Sequence, residues 1–262
     1  MRETKVVILA AGKGTRMQSD LPKVLHQVEG KTMIQHSIDK VRELGVEDII
    51  LVVGYRQEMV RETVGDSVKY TVQEEQLGTG HAVMQARPFL ENFEGNVVIL
   101  YGDMPLINPA TIKKLIDARE SDDVRGAILT IVLDNPPDFG RIIRDDTGRV
   151  LRIVEKKDCS PQEVSIKEVN VGMYCFDCQE LLTALGGLST DNAQGEYYLT
   201  DVVGIMADKG LTVKTVTSDT LEETLGINDP HHLEFAESLS DIQYAESLYE
   251  LIDATLAMKR QS

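Results

Sequence analysis

The chain has 262 residues, of which 42% are apolar and 27% charged, and its formal net charge at pH 7 is −16. This length and apolar fraction suit one large α/β domain with or without an extension. The acidity argues against non-specific binding to nucleic acid or to a membrane, since such binding needs a basic face. No run approaches the roughly 20 apolar residues of a membrane-spanning helix, and the first apolar run, 6–11, is too short for a secretory signal. We therefore expect a cytoplasmic protein.

Strand and helix patterns alternate through the first half of the chain. Continuous apolar runs predict strands buried on both faces. In chain order, the pattern predicts a strand over 6–10, a helix over 33–44, a strand over 48–54, a helix over 58–64, a strand over 68–72, a helix over 81–89 that ends near Pro88, and a strand over 96–101. This alternation predicts a mostly parallel sheet flanked by helices, with ligands bound beyond the carboxyl ends of its strands.

The second half of the chain is less regular. It predicts a helix from Pro109, a strand over 127–133, a β-hairpin that turns at 145–148, a strand over 169–176, helices over 179–185 and 201–209, and a strand over 213–216. Beyond Pro230, an acidic segment carries apolar residues at helical spacing. It predicts a helix over 232–259 that docks on the core or mediates self-association. We therefore divide the chain into a domain over 1–229 and a helical tail over 230–262.

A glycine-rich loop follows the first strand. Gly12 and Gly14 let the backbone approach an anion and offer N–H groups to phosphate oxygens. Three cations lie in this loop or soon after it, namely Lys13, Arg16 and Lys23. Met17 stands where a dinucleotide fingerprint requires its third glycine, and the loop does not continue into the Gly-Lys-Ser/Thr that a Walker A loop requires. The alternative is an ordinary strand-to-helix connection, but so much positive charge in an acidic protein favours a phosphate site.

The strand over 96–101 is followed by a second segment whose residues could bind a ligand or take part in catalysis. Tyr101, Gly102 and Asp103 stand where an α/β sheet is expected to bind a ligand. Glycine leaves room for an ion, and a carboxylate oxygen suits Mg²⁺. The alternative is that Asp103 caps the helix that begins at Pro109, although it stands several residues ahead of that helix.

The cysteines and histidines suggest no defensible catalytic set. Cys175 and Cys178 have the spacing of a redox pair or half a zinc site, but the sequence has no second cysteine pair for zinc. Two ordinary thiols are the simpler interpretation, with a redox pair as the alternative. His36 and His81 lie on predicted helices, where structural roles are expected.

Four segments occur in order along the chain: LAAGKGTRM at 9–17, which LPKVL follows at 21–25, EQLGTGHA at 75–82, YGDMPL at 101–106 and NAQGEYYLTD at 192–201. Together they resemble the sugar-nucleotide pyrophosphorylase family. Within it they are similar to the uridyltransferase domains of the bifunctional N-acetylglucosamine-1-phosphate uridyltransferase/glucosamine-1-phosphate acetyltransferases, over about 5–229. The resemblance implies a Rossmann-like, mixed and mostly parallel sheet flanked by helices, the nucleotide-diphospho-sugar transferase fold.

The resemblance also implies roles for particular residues. Arg16 and Lys23 would contact the phosphates, and Asp103 and Asn228 would hold Mg²⁺. The implied nucleotide contacts are Leu9, Ala10, Ala11, Gly12, Gln73, Gln76, Gly78 and Thr79, with further substrate contacts at Tyr101, Gly102 and Asn228. The implied sugar contacts are Gly140, Glu155, Asn170, Tyr198 and Thr200.

The residue types suit these implied roles. A glutamine amide offers a donor and an acceptor to a pyrimidine edge, and a carboxylate can accept hydrogen bonds from two sugar hydroxyls. The alternatives are a solvated charged turn around Glu155 and a turn or helix cap at Asn228. Val171 stands where the family usually has threonine, which is a departure within the implied sugar pocket.

The reaction implied by the resemblance joins UTP to N-acetylglucosamine 1-phosphate, gives UDP-N-acetylglucosamine and pyrophosphate, and depends on Mg²⁺. The sequence contains no hexapeptide repeat of the acetyltransferase type, so we expect a stand-alone uridyltransferase. Two alternatives stay open. One is a nucleotidyltransferase for another sugar 1-phosphate, such as glucose 1-phosphate. The other is a non-catalytic sugar-nucleotide sensor on the same fold.

Overall fold

The computed structural model describes residues 2–239. Its strands are β1 Thr4–Ala10, β2 Gln27–Val28, β3 Lys31–Thr32, β4 Ile49–Val53, β5 Lys69–Val72, β6 Asn96–Tyr101, β7 Val124–Val132, β8 Arg141–Arg144, β9 Val150–Val154, β10 Glu168–Asp177 and β11 Thr212–Thr217. Its helices are α1 Met33–Glu43, α2 Gln57–Val64, α3 Thr79–Met84, α4 Arg87–Leu90, α5 Pro109–Glu120, α6 Pro161–Val164, α7 Cys178–Leu185 and α8 Asp201–Asp208. Residues 230–239 form a further helix, here called the C-terminal helix.

A mixed sheet organises the described part of the chain. Its strand order is β11-β7-β10-β6-β1-β4-β5, and β8 and β9 form a hairpin that pairs with β10. β1 lies parallel to β4 and β6, whereas β10 lies antiparallel to β6 and β7. The prediction of a mixed, mostly parallel sheet flanked by helices is confirmed.

Side chains from alternate positions of β1 bury against the two layers that cover the sheet. Val7 and Leu9 belong to one buried apolar cluster, whereas Val6 and Ile8 belong to a second one. Because successive side chains of a strand point to opposite faces, the continuous apolar run places apolar residues on both faces. This burial explains why the run predicted the strand so closely.

The region around Pro88 differs from the prediction of a single helix over 81–89. α3 begins at Thr79 and ends at Met84, and a second helix, α4, carries Pro88 in its first turn. Proline is tolerated in a first turn because the N–H that it lacks would have no partner within the helix there. Pro88 therefore begins a helix instead of ending one.

The predicted β-hairpin is present as β8 and β9. In the β8–β9 turn, Asp145 Oδ1 accepts the N–H groups of Thr147 and Arg149, at 2.9 and 3.0 Å.

Cys175 and Cys178 are buried and free. Burial raises the pKa of Cys178 to about 11 and also raises the pKa of Cys175. Both therefore stay thiols at neutral pH, which disfavours the redox pair.

The C-terminal helix docks on the domain through its apolar face. Ala236 is fully buried in a cluster with Val28, Met33 and Ile227. Docking on the core is therefore observed for residues 230–239, while the rest of the predicted tail helix lies outside the described residues. The proposed domain boundary at residue 230 stays a prediction. Among the helices of residues 2–239, none is long and apolar enough to cross a membrane.

Ala236 allows a test of this docking. Ala236→Glu places a carboxylate at a position that is 0% exposed. Burying that charge, or undocking the helix to avoid it, is expected to cost about 2 kcal/mol or more. We expect thermal unfolding to show a Tm lower by at least about 4 °C. Ser238→Glu adds the same charge to an exposed position of the same helix and should leave the Tm within about 1 °C. Equal losses in the two variants would contradict the docking.

Candidate active site

Two adjoining cavities open beyond the carboxyl ends of β1 and β6. The larger cavity has a volume of about 600 Å³ and the smaller one about 270 Å³. Tyr101 and Asp103 line both of them. Because Leu9 of β1 pairs with Tyr101 of β6, the segments that follow the two strands leave the sheet side by side. The cavities therefore form one cleft with a shared junction at the end of β6.

The smaller cavity brings together most of the predicted nucleotide contacts. Gln76 Nε2 donates to the Ala11 carbonyl at 2.8 Å, and Gln73 Nε2 donates to the Gly78 carbonyl at 3.0 Å. These bonds connect the loop after β1 with the segment that precedes α3. The predicted residues that line this cavity are Leu9, Ala11, Gly12, Lys23, Gln73, Gln76, Gly78, Thr79, Tyr101 and Asp103.

Ala10 and Gly102 lie behind the wall of the cleft. The Ala10 side chain packs in the apolar cluster on the other side of β1, together with Ile34, because alternate residues of a strand face opposite ways. Gly102 donates its N–H to the Leu9 carbonyl at 3.0 Å, and a Cβ there would lie 3.0 Å from Ile34 Cδ1. Neither residue lines either of the two cavities, and their substrate contacts stay a prediction.

The larger cavity contains three predicted sugar contacts, Gly140, Glu155 and Asn170. Asn170 Nδ2 donates to the Tyr174 hydroxyl at 2.8 Å, and its Oδ1 accepts the Gly172 N–H at 3.2 Å. The Asn170 amide is thus held in one orientation. A Cβ at position 140 would lie 2.7 Å from Ile153 Cγ2, so the close approach of the β8–β9 hairpin requires glycine there.

Tyr198 and Thr200 stand outside the lining of both cavities. Thr200 is 4% exposed, and its hydroxyl donates to Glu155 Oε1 at 2.9 Å. Tyr198 is 6% exposed, and its hydroxyl donates to Asp158 Oδ2 at 3.3 Å. Thr200 therefore orients Glu155, and the direct sugar contacts of both residues stay a prediction.

Glu155 is a half-buried carboxylate of the larger cavity. Burial raises the pKa of Glu155, and the charges of Asp201 and Asp158 raise it further, whereas the hydrogen bond from Thr200 lowers it. A partly desolvated carboxylate is a strong acceptor for hydroxyl donors, since water competes less for it. This arrangement replaces the alternative of a solvated charged turn.

The junction of the cavities holds a cluster of charged and polar groups. The Lys23 ammonium pairs with the Asp103 carboxylate and also donates to Asn228 Oδ1 at 3.0 Å. Arg16 Nη2 donates to the same Asn228 oxygen at 3.0 Å. The segment that carries Asn228 is attached to β6 through the Ile227 N–H, which donates to the Asp103 carbonyl at 2.9 Å. All four residues predicted for phosphate and metal therefore meet in one place.

Helix capping does not explain the two proposed metal ligands. Asn108 caps α5, since its side chain accepts the Ala110 N–H at 2.8 Å. Asp229 caps the C-terminal helix, since its Oδ1 accepts the His232 N–H at 2.9 Å. Asp103 and Asn228 therefore do not serve as the helix caps, and their side-chain oxygens accept from Lys23 at the junction.

The donor set at the junction suits a hard divalent cation that binds together with phosphate. It offers one carboxylate, from Asp103, and one carboxamide oxygen, from Asn228. Mg²⁺ is typically held by one or two carboxylates, substrate phosphates and several waters. Within residues 2–239, no group of three or more His, Cys, Asp or Glu residues could hold a metal by itself, so a protein-only zinc site is absent from that range.

Two features of the cleft were missed in the sequence. Gly172 has a φ of +98°, and a Cβ there would lie 2.9 Å from the Tyr101 ring; a glycine inside a strand was the available signal. His232 lines the larger cavity with Phe235 and accepts the Asn228 N–H at 3.4 Å. No local sequence pattern indicates a role for His232 in the cleft, because this residue approaches the cleft only through the docking of the C-terminal helix.

The mixed α/β sheet carries a glycine-rich cationic loop beyond one strand and a carboxylate beyond its neighbour. This is the arrangement of a nucleotide-binding protein. The chain belongs to the nucleotidyl transferase family, whose pattern it matches over residues 5–255. It is 49% identical over 238 residues to the bifunctional protein GlmU of Brevibacillus brevis, which covers 91% of this chain and 52% of that protein. It is 48% identical over 241 residues to the bifunctional protein GlmU of Clostridium novyi, covering 92% and 53%.

A solved structure agrees with this assignment at the level of the fold. It is the 2.76 Å crystal structure, with sucrose, of a Bacillus anthracis protein provisionally assigned as a glucose-1-phosphate thymidylyltransferase. The TM-score is 0.73 at 22% identity, over 90% of this chain and 94% of that one. The chain spans about half the length of the curated relatives that it matches, so the prediction of a stand-alone enzyme stays untested.

Glu155 gives the cleft a pH signature in stability. Because folding raises its pKa above the ordinary value of 4.5, the folded state holds this proton more tightly than the unfolded state. The resulting stabilisation is complete below pH 4.5 and is lost as the pH rises through the raised pKa. We therefore expect Glu155→Gln to gain stability relative to the native chain as the pH goes from about 4 to about 8, measured by thermal unfolding.

Glu163 provides a control of opposite sign. The N–H and hydroxyl of Ser160 lower its pKa, so its stabilisation is present above the ordinary value of 4.5 and is lost as the pH falls through the lowered pKa. Glu163→Gln should be less stable than the native chain at neutral pH, and the gap should close in acid. A stability difference for Glu155→Gln that does not change with pH would contradict the burial of an ionised Glu155.

Proposed function

We propose that the chain is a uridyltransferase that joins UTP to N-acetylglucosamine 1-phosphate and releases pyrophosphate. The observation that carries this proposal is the meeting of two cavities at Tyr101 and Asp103, beside Lys23, where two phosphate-bearing ligands would bring their phosphates together. The identity of 49% to a bifunctional protein GlmU supports the same choice of substrates.

The smaller cavity suits the nucleotide. A pyrimidine edge needs both donors and acceptors, and a glutamine amide offers both. Gln73 and Gln76 are already held through the carbonyls of Gly78 and Ala11, so their amides are oriented before a ligand binds. Pre-orientation of this kind reduces the conformational entropy lost on binding. The exposed Gly12 in the same wall lets phosphates approach the backbone.

The larger cavity suits the sugar phosphate. Its volume of about 600 Å³ lies in the range of small-molecule sites. Glu155 can accept hydrogen bonds from sugar hydroxyls while Thr200 keeps its carboxylate in place. Asn170 is oriented by Tyr174 and Gly172. These groups would direct the phosphate of the sugar toward the junction.

The chemistry at the junction would consist of positioning and charge neutralisation. A sugar 1-phosphate is largely dianionic at neutral pH because its second pKa is about 6, so its oxygen needs no general base to attack the α-phosphorus. Arg16 and Lys23 would bind phosphate oxygens and offset the charge that develops on pyrophosphate as it leaves. Asp103 and Asn228 would hold a divalent cation, Mg²⁺ in our proposal, which when bound supplies further charge neutralisation.

One observation favours the alternative of a different sugar 1-phosphate. Val171 is 8% exposed and lines the larger cavity, at the position where the family usually has threonine. A valine cannot form the hydrogen bonds of a threonine hydroxyl, so the sugar pocket departs from the family pattern at this point. The substrate itself therefore has to be measured.

A substrate panel tests the proposed specificity. We expect UTP with N-acetylglucosamine 1-phosphate to give a kcat/KM at least about tenfold above any other pair of nucleoside triphosphate and sugar 1-phosphate, measured as pyrophosphate release. A higher value with glucose 1-phosphate or dTTP would favour the alternative transferase. No turnover with any pair at millimolar Mg²⁺ would favour the non-catalytic sensor.

Asp103 distinguishes an enzyme from a sensor. Asp103→Asn nearly preserves the shape of the side chain but removes the carboxylate charge of the proposed metal site. We expect turnover to fall by at least about a hundredfold, or about 2.7 kcal/mol of transition-state stabilisation. Chelation of divalent cations should abolish the activity of the native chain.

Asp138→Asn is the matched control for this variant. Asp138 is an exposed carboxylate that lines the larger cavity, so the same chemical change is made in the same cleft away from Lys23. Its turnover should stay within about threefold of the native value. Turnover near the native rate in a folded Asp103→Asn protein would remove Asp103 from the mechanism.

A further inference from the structure

The ammonium of Lys23 lies between the two oxygen ligands proposed for the cation. It pairs with the Asp103 carboxylate and donates to Asn228 Oδ1 at 3.0 Å. The Lys23 and Asp103 side chains are only 16% and 15% exposed. In the ligand-free protein, a positive group of the chain itself thus uses the oxygens that a divalent cation would need.

The local structure holds the stem of Lys23 close to these oxygens. Lys23 begins a short 3₁₀ helix, Lys23–Leu25, whose other two residues are buried. Gly14, with a φ of +63°, packs so close that a Cβ there would lie 2.6 Å from the Lys23 Cβ. The backbone of Lys23 is therefore fixed on the wall of the cleft, whereas its terminal methylene groups can rotate.

We propose that Lys23 acts as an internal cation, which occupies the divalent-metal position until metal and nucleotide bind together. This inference rests on the proposed function. Two cations a few ångströms apart repel strongly in a partly desolvated site, so a metal ion alone has to displace the ammonium from Asp103. The displaced ammonium then loses the carboxylate with which it pairs, and the binding of metal alone is correspondingly weak.

A nucleotide removes this obstacle because its phosphates offer Lys23 new anionic partners. The metal can then take the oxygens of Asp103 and Asn228 without leaving a buried charge unpaired, which is the costly outcome in such sites. Metal and nucleotide should therefore bind cooperatively, and each should raise the affinity of the other by the same factor. The ion pair also compensates the Asp103 charge in the ligand-free state.

Metal binding without nucleotide tests the proposal directly. We expect the full chain to bind Mn²⁺ alone weakly, and Lys23→Met to bind it at least about tenfold more tightly, measured by electron paramagnetic resonance of free Mn²⁺. Mg²⁺ alone should likewise raise the Tm of Lys23→Met more than that of the native chain. Lys23→Gln is the second variant, since it removes the charge and keeps an amide donor near the two oxygens.

Lys13→Met is the matched control. It removes the same charge from the same loop, but the Lys13 Nζ lies over the Tyr55 ring, 5.6 Å from the ring centroid. Its Mn²⁺ affinity should stay within about twofold of the native value. An equal gain in Lys13→Met and Lys23→Met would mean a general effect of charge and would overturn the inference.

The remaining outcomes separate this inference from the proposed function. Unchanged Mn²⁺ binding in both Lys23 variants, together with a large loss of turnover in Asp103→Asn, would overturn the internal cation and leave the enzyme as proposed. Near-native turnover in Asp103→Asn would instead overturn the metal site on which both depend. Tighter Mn²⁺ binding in Lys23→Met that Asp103→Asn abolishes in the double variant would support both.

Discussion

The parallel pairing of β1 with β6 is the constraint on which the whole cleft depends. Leu9 lies opposite Tyr101, and parallel neighbours end at the same edge of a sheet. The loop after β1 can therefore supply Lys23 to the place where β6 delivers Asp103, although the two residues are 80 positions apart in the chain. A shift of this register would separate the cations of the junction from the carboxylate and divide the cleft into unrelated pockets.

The antiparallel strand β10 completes the cleft on the side of the larger cavity. It runs between β6 and β7, and its pairing with β7 is irregular between Asn170 and Tyr174. Such irregularities redirect side chains near functional sites. Here the irregular stretch contains Gly172, which leaves room for the Tyr101 ring, and Asn170, which lines the larger cavity. The antiparallel strand β10 thus positions Asn170 in the wall of the larger cavity.

The sequence predicted the elements whose signals are local, and it failed where the outcome depended on packing. Buried parallel strands are continuous apolar runs, so β1 and β6 could be read directly. The effect of Pro88 could not be predicted in the same way, because a proline either ends a helix or begins one, depending on which N–H groups need partners. The same holds for Ala10 and Thr200. Ala10 stands between the cavity residues Leu9 and Ala11, but its side chain faces the other side of β1. Thr200 is buried, and its hydroxyl donates to Glu155.

The charge balance of the junction favours anionic ligands within an acidic protein. Arg16 and Lys23 both converge on the neutral amide oxygen of Asn228, and only Lys23 has a carboxylate partner there, Asp103. The cluster of these four residues therefore holds one more positive charge than negative before any ligand binds. A ligand that was recognised through sugar hydroxyls alone would have no use for this excess charge. Two phosphate groups brought to one point would need this positive charge, because each would otherwise repel the other as well as the acidic surface around them.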